Sequence, residues 1–303
     1  MQIAYLVLCH RDPQHIARLA RKLTQDTDDR IIVHVDAKSD LAPFEAALRG
    51  IPRVDLLAQR TAVWWGGYSA VAATQSMLAH ALRLPGVERF VLLQGADYPL
   101  RSNAQLHAFF AANPSTEFIR ACNASVSTSR YLYAKARHPQ WFDRPNPFKR
   151  IVNRVIRTAD LKLKPPYVMR GGQCMQIYYG CAQWAVTRSC ASLFVECTDD
   201  AAFNRYFRSS FPTDEIYFHT IVHNSPRSAA TARGGAEADV GNVTELRNLH
   251  YFEYPHDVRI FTADDFDMLQ ATDALFVRKV TTAASGGLLD RIDAAHADAR
   301  RSD

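Results

Sequence analysis

The sequence predicts a mixed α/β fold in which a mostly parallel central sheet is flanked by helices. Three short apolar runs, at residues 3–9, 31–35 and 90–93, have the length of buried strands. Helical patterns separate these runs, and strands that alternate with helices favour a parallel sheet covered on both faces. At 48% hydrophobic and 22% charged residues the chain can bury a full core, which excludes a disordered protein.

The elements of the first 120 residues can be assigned in order. Asp12 and Pro13 predict the start of a helix that continues through the apolar positions of residues 16–23. The next elements are a strand at 54–57, a helix at 69–82, a strand at 90–93, a helix at 103–112 and a short strand at 118–120. Past residue 130 this alternation stops. A strand at 175–179 follows, with helices at 187–196, after Pro212 and at 264–270.

No linker divides the chain, so we predict one domain over residues 1–281. Residues 1–120 carry the alternation of strands and helices and are the expected Rossmann-like half, and residues 121–281 are the other half. Residues 282–303 are polar and predict a C-terminal tail.

Composition also bears on the compartment. No apolar run reaches the roughly 18 residues that a membrane helix needs, and the run at residues 2–9 is too short for a signal peptide. The six cysteines form no Cys-x-x-Cys pair, which predicts free thiols in a reducing compartment. We therefore expect a cytoplasmic protein.

Positive charge is concentrated in one segment. Residues 130–170 contain eleven Lys or Arg against Asp143 and Asp160, a local balance of +9. Such a patch predicts peripheral contact with an anionic acceptor or with the inner face of a membrane. The alternative is a solvated amphipathic helix at 149–161. We expect no nucleic acid partner.

Polar residues follow three of the predicted strands. His10 follows the first strand, Asp36 the second and Asp97 the central one. Ligands of open α/β sheets bind at the carboxyl ends of the strands, and a carboxylate such as Asp36 suits a ribose diol. Taken singly, an aspartate after a strand is most often a turn or cap residue, so that alternative stays open.

Two aromatic segments can be interpreted either as ligand contacts or as parts of the core. Trp65 precedes two glycines, and Gln183 precedes Trp184. Aromatic faces suit nucleobases and sugar rings, but tryptophans anchor hydrophobic cores at least as often. The sequence leaves both interpretations open for each segment.

The most informative segment is Phe211-Pro-Thr-Asp-Glu-Ile-Tyr-Phe-His-Thr220. It predicts that Glu215 lies in the first turn of an aromatic helix, where the helix dipole favours a carboxylate. The alternative is a well-capped helix without a catalytic role.

Four other motifs accompany this segment, namely Trp65-Gly-Gly-Tyr68, Gly95-Ala-Asp-Tyr-Pro-Leu100, Gly180-Cys-Ala-Gln-Trp184 and Phe276-Val-Arg-Lys279. In this order, over residues 3–280, they resemble the core-2/I-branching N-acetylglucosaminyltransferase and peptide O-xylosyltransferase family (glycosyltransferase family 14), nearer its xylosyltransferase branch. The resemblance implies a GT-A-like fold, with a nucleotide-binding half at residues 1–120 and an acceptor-binding and catalytic half at 121–281. It also implies an inverting enzyme that moves xylose or N-acetylglucosamine from a UDP-sugar. The acceptor would be a hydroxyl of a glycan, a lipid-linked precursor or a peptide. Animal members are Golgi membrane proteins with disulfides, so this chain looks like a stand-alone, soluble bacterial form.

The same resemblance implies residue roles. Glu215 matches the general base, and Lys279 matches a lysine that contacts the donor diphosphate. The second diphosphate cation is Arg247 or His250, and we prefer Arg247 because its charge does not depend on pH. The other donor-binding candidates are His10, Asp36, Trp65, Asp97 and Arg278. The substrate-binding candidates are Tyr98, Gln183, Trp184 and His250.

Metal dependence is a separate question. Many enzymes of this fold hold a divalent metal with an Asp-x-Asp pair, but Asp97 stands alone in Gly95-Ala-Asp-Tyr98. No His, Cys and Asp cluster has the spacing of metal ligands. We therefore predict a metal-independent enzyme with no cofactor beyond its donor, in which Lys and Arg carry the leaving-group charge.

Two other function classes remain as alternatives. A nucleotidyltransferase that makes a sugar nucleotide would use a similar sheet, but it usually has a Gly-rich phosphate loop. The segment Leu8-Cys-His-Arg-Asp12 contains no glycine. A non-catalytic protein that binds glycan or nucleotide is the second alternative, and the presence of Glu215 and Lys279 speaks against it.

Overall fold

The computed structural model describes residues 1–126, 151, 154–155, 165–238, 240, 243–254 and 256–302. Its strands are β1 Gln2–Cys9, β2 Arg30–Val35, β3 Val54–Leu56, β4 Val87–Gln94, β5 Asp97–Pro99, β6 Cys122–Asn123, β7 Tyr167–Arg170, β8 Gln173–Gln176, β9 Tyr178–Tyr179, β10 Ala185–Thr187, β11 His250–Tyr251 and β12 Phe276–Arg278. Its α-helices in the described residues are α1 Pro13–Thr24, α2 Ala42–Leu48, α3 Tyr68–Ala81, α4 Asn103–Ala112, α5 Arg188–Glu196, α6 Ala201–Phe207, α7 Tyr217–His223, α8 Phe266–Gln270 and α9 Thr282–Ser302. Short 3-10 helices are Pro226–Ala230, Val243–Leu246 and Ala263–Asp265.

Two compact units can be distinguished in the chain. The first comprises Met1–Arg60, Leu84–Pro114 and Leu249–Asp303, and the second comprises Thr61–Arg83 and Ser115–Asn248. The units do not follow the boundary predicted at residue 120, because 61–83 belongs to the second unit and 249–303 to the first. The single domain over residues 1–281 stays a prediction.

The first unit is built on a parallel sheet. Strands β4, β1, β2 and β3 lie side by side in that order, and each neighbouring pair is parallel. Almost every residue of β1 and β2 is buried, as expected for strands covered on both faces. Helix α1 presents Ile16, Leu19 and Leu23 to the core. The predicted mixed α/β fold, with a mostly parallel central sheet flanked by helices, is confirmed.

A smaller sheet in the first unit joins segments that are far apart in the sequence. β12 pairs with β11 in parallel and with β5 antiparallel. In these ladders Arg278 lies opposite Asp97, and His250 lies opposite Phe276. Because directly opposite residues share a face of the sheet, the register brings the Arg278 and Asp97 side chains together.

Helix α9 replaces the polar tail that the sequence predicted. Its apolar residues Leu288, Leu289 and Ile292 are buried, and Asp293 binds Arg18 and Lys22 of α1 at 2.7 and 2.9 Å. Residues 282–302 contain few apolar positions among many Ala, Asp and Arg residues. These apolar positions recur at helical spacing, and a prediction from composition does not detect that amphipathic pattern.

The second unit packs around aromatic side chains. Trp184 is 1% exposed, and its ring lies 5.3 Å from that of Phe194 and 5.4 Å from that of Phe218. Both contacts are edge-on, which is a favourable geometry for aromatic pairs. Trp184 is therefore a core anchor, and its predicted role as a sugar-binding platform is wrong.

The helices predicted at 187–196, after Pro212 and at 264–270 correspond to α5, α7 and α8, and the strand predicted at 175–179 is divided between β8 and β9. The elements predicted in residues 1–112 agree closely with the structure, although α2 and β5 were missed. Residues 118–120 form no strand, only an isolated bridge between Phe118 and Ala185. The predicted helix at 149–161 and most of the basic segment 130–170 lie outside the described residues.

Two further findings concern the compartment. No helix in the part of the chain described above is long and apolar enough to cross a membrane. All six cysteines are free thiols, and Cys174 alone among them is exposed.

Candidate active site

Glu215 lies in a turn that precedes helix α7, not in the first turn of the helix as the sequence predicted. The helix begins at Tyr217, so the argument from the helix dipole does not hold in its predicted form. The Glu215 carbonyl accepts a hydrogen bond from the Gly180 amide at 2.9 Å, and the Tyr217 amide donates to the Thr213 carbonyl at 2.9 Å. The Glu215 side chain is half-buried, so its position is fixed while solvent still reaches it.

Glu215 belongs to a group of side chains in the second unit that we call the base cluster: Glu215, Tyr179, Cys181, Arg120 and Arg247. The Tyr179 hydroxyl donates a hydrogen bond to the Glu215 carboxylate. Burial, and then the charge of Glu215, raise the pKa of the Tyr179 hydroxyl and of the Cys181 thiol. Arg120 and Arg247 act on the pKa of Cys181 in the opposite direction. Tyr179 and Cys181 therefore stay protonated near neutral pH, and Glu215 is the base that this cluster offers.

Arg120 organises the backbone of the base cluster. Its guanidinium binds the Glu237 carboxylate at 2.7 and 2.5 Å and donates to the Arg247 carbonyl at 2.7 Å. The Arg120 amide donates to the Asn248 side chain at 2.7 Å, and Asn248 in turn donates to the Gln183 carbonyl at 2.7 Å. Nothing in the sequence pattern singled out Arg120, since its partners come from two remote segments of the chain, at Glu237 and at residues 247–248.

His219 lies four residues after Glu215, in the Phe-His-Thr part of the motif, and it is fully buried. Burial, followed by the neighbouring His223, lowers the pKa of the His219 imidazole to about 3. Because the His219 imidazole is neutral near pH 7 and has no contact with solvent, it cannot take a proton from a bound substrate. The imidazole serves packing instead, against Gly180.

Gly180 allows the base cluster to close. A Cβ at this position would lie 2.1 Å from the Arg120 carbonyl oxygen and 2.6 Å from the His219 ring.

We predict that Gly180→Ala lowers the free energy of unfolding by about 1–3 kcal/mol through overpacking, as measured by urea denaturation. It should also lower kcat, because the Gly180 amide holds Glu215. The matched control is Gly286→Ala, whose Cβ meets nothing within 4 Å. Equal unfolding midpoints for the two variants would contradict this role.

Trp65 is an exposed aromatic platform and not a core anchor, and its contact with a ligand stays a prediction. The side chain is 80% exposed and meets Phe211 edge-on with ring centroids 5.1 Å apart. The neighbouring Gly66 has a φ of 66°, and its carbonyl accepts from the Thr213 amide at 2.7 Å. The platform is thereby fastened to the segment that leads into Glu215.

A second group of charged residues lies in the first unit, and we call it the cation cluster: His10, Arg11, Asp36, Lys38 and Lys279. These residues follow the ends of β1, β2 and β12. The Asp36 carboxylate accepts from the Lys38 amide at 2.9 Å and from the Lys38 ammonium at 2.5 Å. The sequence predicted ligand contacts for His10, Asp36 and Lys279, and the structure brings these three together with Arg11 and Lys38.

The cation cluster has an excess of positive charge. Burial and the charge of Arg11 lower the pKa of both His10 and Lys279. Arg11, Lys38 and Lys279 are permanent cations, and the carboxylates whose charges act on this cluster are Asp36 and Asp257. Lys38 pairs with Asp36, whereas no carboxylate of the described residues lies within 4 Å of the Lys279 ammonium. Such an excess at the carboxyl ends of strands favours an anionic ligand.

Asp12 fastens the segment that carries Lys279. As predicted, it caps α1, because its carboxylate accepts from the His15 amide at 3.2 Å. The same carboxylate also accepts from the Thr282 amide at 2.8 Å and from the Thr282 hydroxyl at 2.6 Å. Since Thr282 follows Lys279 by three residues, this contact fixes Lys279 next to the turn after β1. Sequence reasoning found the cap but not its distant partner.

Asp97 is fully buried, which corrects its predicted role as a donor contact. Its carboxylate accepts from Arg278 at 2.8 Å and from the Gln94 amide at 2.7 Å, and it lies 3.2 Å from His250 Nε2. Burial acts to raise the pKa of Asp97, but Arg278 and then His250 hold it below its ordinary value. His250 is also buried and stacks on Phe276 at 5.0 Å. Asp97 and His250 therefore support the fold. The candidates for the second diphosphate cation are Arg247 and His250, and the half-buried Arg247 is favoured because His250 is buried.

We predict that Asp97→Asn destabilises the protein by about 3 kcal/mol, because it removes the buried carboxylate charge that pairs with the half-buried Arg278 guanidinium. A depressed pKa means that Asp97 stabilises the fold above its unfolded pKa, near 3.8, and that this contribution is lost as the pH falls through the lower folded value. The loss in Asp97→Asn should therefore be full at pH 7 and shrink in strong acid, as followed by urea unfolding. The control is Asp267→Asn, which removes a carboxylate that is 84% exposed. A stability cost at Asp97 no larger than at Asp267 would contradict the assignment.

Tyr98 and Gln183, two predicted substrate contacts, are also buried. Tyr98 has no exposed surface, and its hydroxyl donates to Asp293 at 2.9 Å. Gln183 is 6% exposed, and its backbone carbonyl accepts from the Asn248 side chain. Neither prediction fits the structure, because both side chains are buried.

No group of three His, Cys, Asp or Glu residues in the described ranges is arranged to hold a metal ion. The single carboxylate at the position of an Asp-x-Asp pair is Asp97, whose oxygens already contact Arg278, His250 and the Gln94 amide.

Comparison with known proteins assigns the family. The family model described as Branch: Core-2/I-Branching enzyme matches residues 3–235, well over half of the chain. The chain belongs to the core-2/I-branching enzyme family. The resemblance drawn from its motifs is thereby confirmed, and Glu215, Gly180 and Trp65 all lie within the matched range.

The curated relatives of this family member are xylosyltransferases, as the motif variants predicted. Xylosyltransferase 2 of Homo sapiens is 25% identical over 233 residues, which is 74% of this chain and 25% of that protein. Xylosyltransferase 2 of Bos taurus is 24% identical over 310 residues, 97% of this chain and 33% of that protein. Xylosyltransferase 1 of Rattus norvegicus is 22% identical over 233 residues, 75% of this chain and 26% of that protein. The chain spans about a quarter to a third of the length of these relatives.

Among solved structures, the apo form of mouse Xyloside xylosyltransferase 1 aligns with a TM-score of 0.36 and 12% identity. The alignment covers 91% of this chain and 97% of that chain. A likeness this distant has no bearing on the site.

Proposed function

We propose that the protein is a glycosyltransferase that moves a sugar from a UDP-sugar to an acceptor hydroxyl with inversion at the anomeric carbon. The half-buried Glu215 carboxylate carries this proposal, because it occupies the base position of the family motif and accepts a hydrogen bond from Tyr179. Xylose and N-acetylglucosamine are the leading donor sugars, and the names of the curated relatives favour xylose.

In the proposed reaction Glu215 acts as general base. Its carboxylate takes the proton of the acceptor hydroxyl as that oxygen attacks the anomeric carbon from the face opposite UDP. The bond between the anomeric carbon and the diphosphate oxygen breaks, and its electron pair leaves with UDP. Inversion needs one displacement and no covalent intermediate, so one carboxylate is sufficient. Tyr179 and Gly180 keep the base in position.

The departing diphosphate gains negative charge, and cations must stabilise it. We propose Lys279 and Arg247 for this role on the basis of the family motifs. The excess positive charge of the cation cluster supports Lys279, and the half-buried guanidinium in the base cluster supports Arg247. Arg278 is a further candidate, although one arm of its guanidinium binds Asp97. His10, Asp36 and Trp65 remain proposed contacts of the donor nucleotide.

The remaining proposals concern the domain bounds, the cellular location and the acceptor. We propose a GT-A-like catalytic domain over residues 1–281, a cytoplasmic location and a glycan, lipid-linked or peptide acceptor. The concentration of positive charge in residues 130–170 supports peripheral contact with an anionic acceptor or membrane surface.

Incubation with a panel of UDP-sugars, with and without candidate acceptors, tests the proposed function. We expect acceptor-dependent release of UDP from one donor, with UDP-xylose tested first. Tight UDP-sugar binding without turnover for any acceptor in a broad glycan and peptide panel would favour a binding protein instead. Formation of a sugar nucleotide from UTP and a sugar phosphate would favour a nucleotidyltransferase.

We also predict that activity does not require a divalent metal, because the position of the Asp-x-Asp pair holds only the buried Asp97. After exhaustive dialysis against EDTA, the rate of UDP release should be unchanged. The control is addition of Mn²⁺ or Mg²⁺ to the dialysed enzyme, which should not raise the rate. Loss of activity on chelation with recovery on metal addition would overturn this proposal.

A further inference from the structure

A cleft of about 650 Å³ opens in the first unit, away from the cation cluster. Helix α1 starts beside the carboxyl end of β1 and rises about 18 Å over its 12 residues, so its last turn lies at the edge where β2 begins. The cleft is bounded by that last turn and by the segment 49–52, which joins α2 to β3. It therefore lies at the opposite edge of the sheet from His10 and Asp36.

Four cations line this cleft against one carboxylate: Arg18, Arg21, Lys22 and Arg49 against Asp293. The Asp293 carboxylate already has three partners. It binds Arg18 at 2.7 Å and Lys22 at 2.9 Å, and it accepts a hydrogen bond from the Tyr98 hydroxyl at 2.9 Å.

Arg21 and Arg49 take no part in the pairing of Asp293 with Arg18 and Lys22. Both are exposed, and within the described residues neither guanidinium has a hydrogen bond or an ion pair with protein. A cation in the last turn of a helix is common because it complements the helix dipole, which accounts for Arg21 alone. It does not account for Arg49, which reaches the same cleft from a different element.

The remaining walls of the cleft are partly apolar. Ile51 and Pro52 supply apolar surface beside the cations, and Thr24, Gln25 and Gly50 are also part of the lining. A volume of about 650 Å³ lies within the roughly 300–1,000 Å³ of small-ligand sites, and is more than a single inorganic anion requires. Guanidinium groups bind tetrahedral oxyanions with two parallel hydrogen bonds, while apolar walls suit the carbon face of a sugar ring.

We propose that this cationic cleft is a second binding site, for an oligosaccharide that carries sulfate or phosphate ester groups. Arg21 and Arg49 bind the ester oxyanions, and Ile51 and Pro52 contact the sugar. Arg18, Lys22 and Asp293 form a rigid wall. The proposal rests on this cleft alone and stands independently of the proposed transfer reaction.

Calorimetry on the full chain, with sucrose octasulfate as the probe, tests the site. Wild type should bind the sulfated probe and not unmodified sucrose. The double variant Arg21→Ala/Arg49→Ala should bind it about 10- to 100-fold more weakly, since two charge-assisted contacts are lost. The matched control is Arg205→Ala/Arg233→Ala, which removes two exposed charges of the second unit and should keep wild-type affinity.

Three outcomes would overturn the proposal. Equal affinity in the Arg21/Arg49 variant and in the control would show that general charge, not the cleft, holds the probe. Displacement of the probe by UDP would place it in the donor site. Inorganic phosphate or sulfate binding as tightly as the sugar derivative would assign the cleft to a free anion. Sucrose hexaphosphate, compared with the octasulfate, distinguishes the two ester groups.

Discussion

Glu215→Gln should lower kcat by about 10²–10⁴-fold while donor affinity stays close to that of wild type. The amide keeps the shape of the side chain and still accepts the hydrogen bond from Tyr179, but it cannot take the acceptor proton. Rates of UDP release at saturating donor and acceptor measure kcat, and calorimetry with UDP measures binding. The two readouts separate loss of the base from loss of the site.

The control for this substitution is Glu196→Gln, which makes the same chemical change at an exposed position in the second unit, at the end of α5. It should leave both readouts unchanged. A Glu215→Gln variant with a normal kcat would end the assignment of Glu215 as the base and with it the proposed mechanism.

Lys279→Ala should weaken UDP binding and lower kcat/KM by about 10-fold or more, because one charge-assisted contact to the diphosphate is removed. The ammonium makes no ion pair in the described part of the chain, so its removal should cost little stability. Calorimetry with UDP and UMP measures the effect. Binding of UMP, which lacks the second phosphate, should change less than binding of UDP.

Arg233→Ala serves as the control, since it removes an exposed positive charge elsewhere and should leave UDP affinity intact. Unchanged UDP affinity in Lys279→Ala would contradict the leaving-group role and leave Lys279 as a surface lysine. The same titration with Arg247→Ala tests the second proposed cation, in preference to the buried His250.

Much of the first unit could be predicted from the sequence, since its signals are local. Strand length, apolar runs and the cap at Asp12 lie within a few residues of the elements that they specify. Helix α4 was predicted at its observed bounds, and the structure shows a local start signal there, a capping box between Ser102 and Gln105.

The buried site residues could not be predicted, because their surroundings come from remote parts of the chain. Asp97 looked like a ligand contact after a strand, but its partner Arg278 is 181 residues away in the sequence. Tyr98 is likewise enclosed by Asp293, 195 residues away. An aspartate at a strand end has the same local sequence whether it meets solvent or a buried guanidinium.

The two tryptophans illustrate the same limit. Trp65 and Trp184 each stand next to small or polar residues in a family motif, yet one is 80% exposed and the other 1% exposed. Trp184 is buried by Phe194 and Phe218, which approach from α5 and α7. The loop before α3 leaves Trp65 with Phe211 as its aromatic neighbour.

The anomeric configuration of the first product tests the central claim most directly. If Glu215 drives a single displacement, an α-linked UDP-sugar must give a β-linked product, and proton NMR of the glycoside identifies its linkage. We expect a β-linkage with wild type, and the same product formed about 10²–10⁴-fold more slowly with Glu215→Gln. An α-linked product would contradict the single displacement, since retention requires a different mechanism from the one that a single carboxylate base supports.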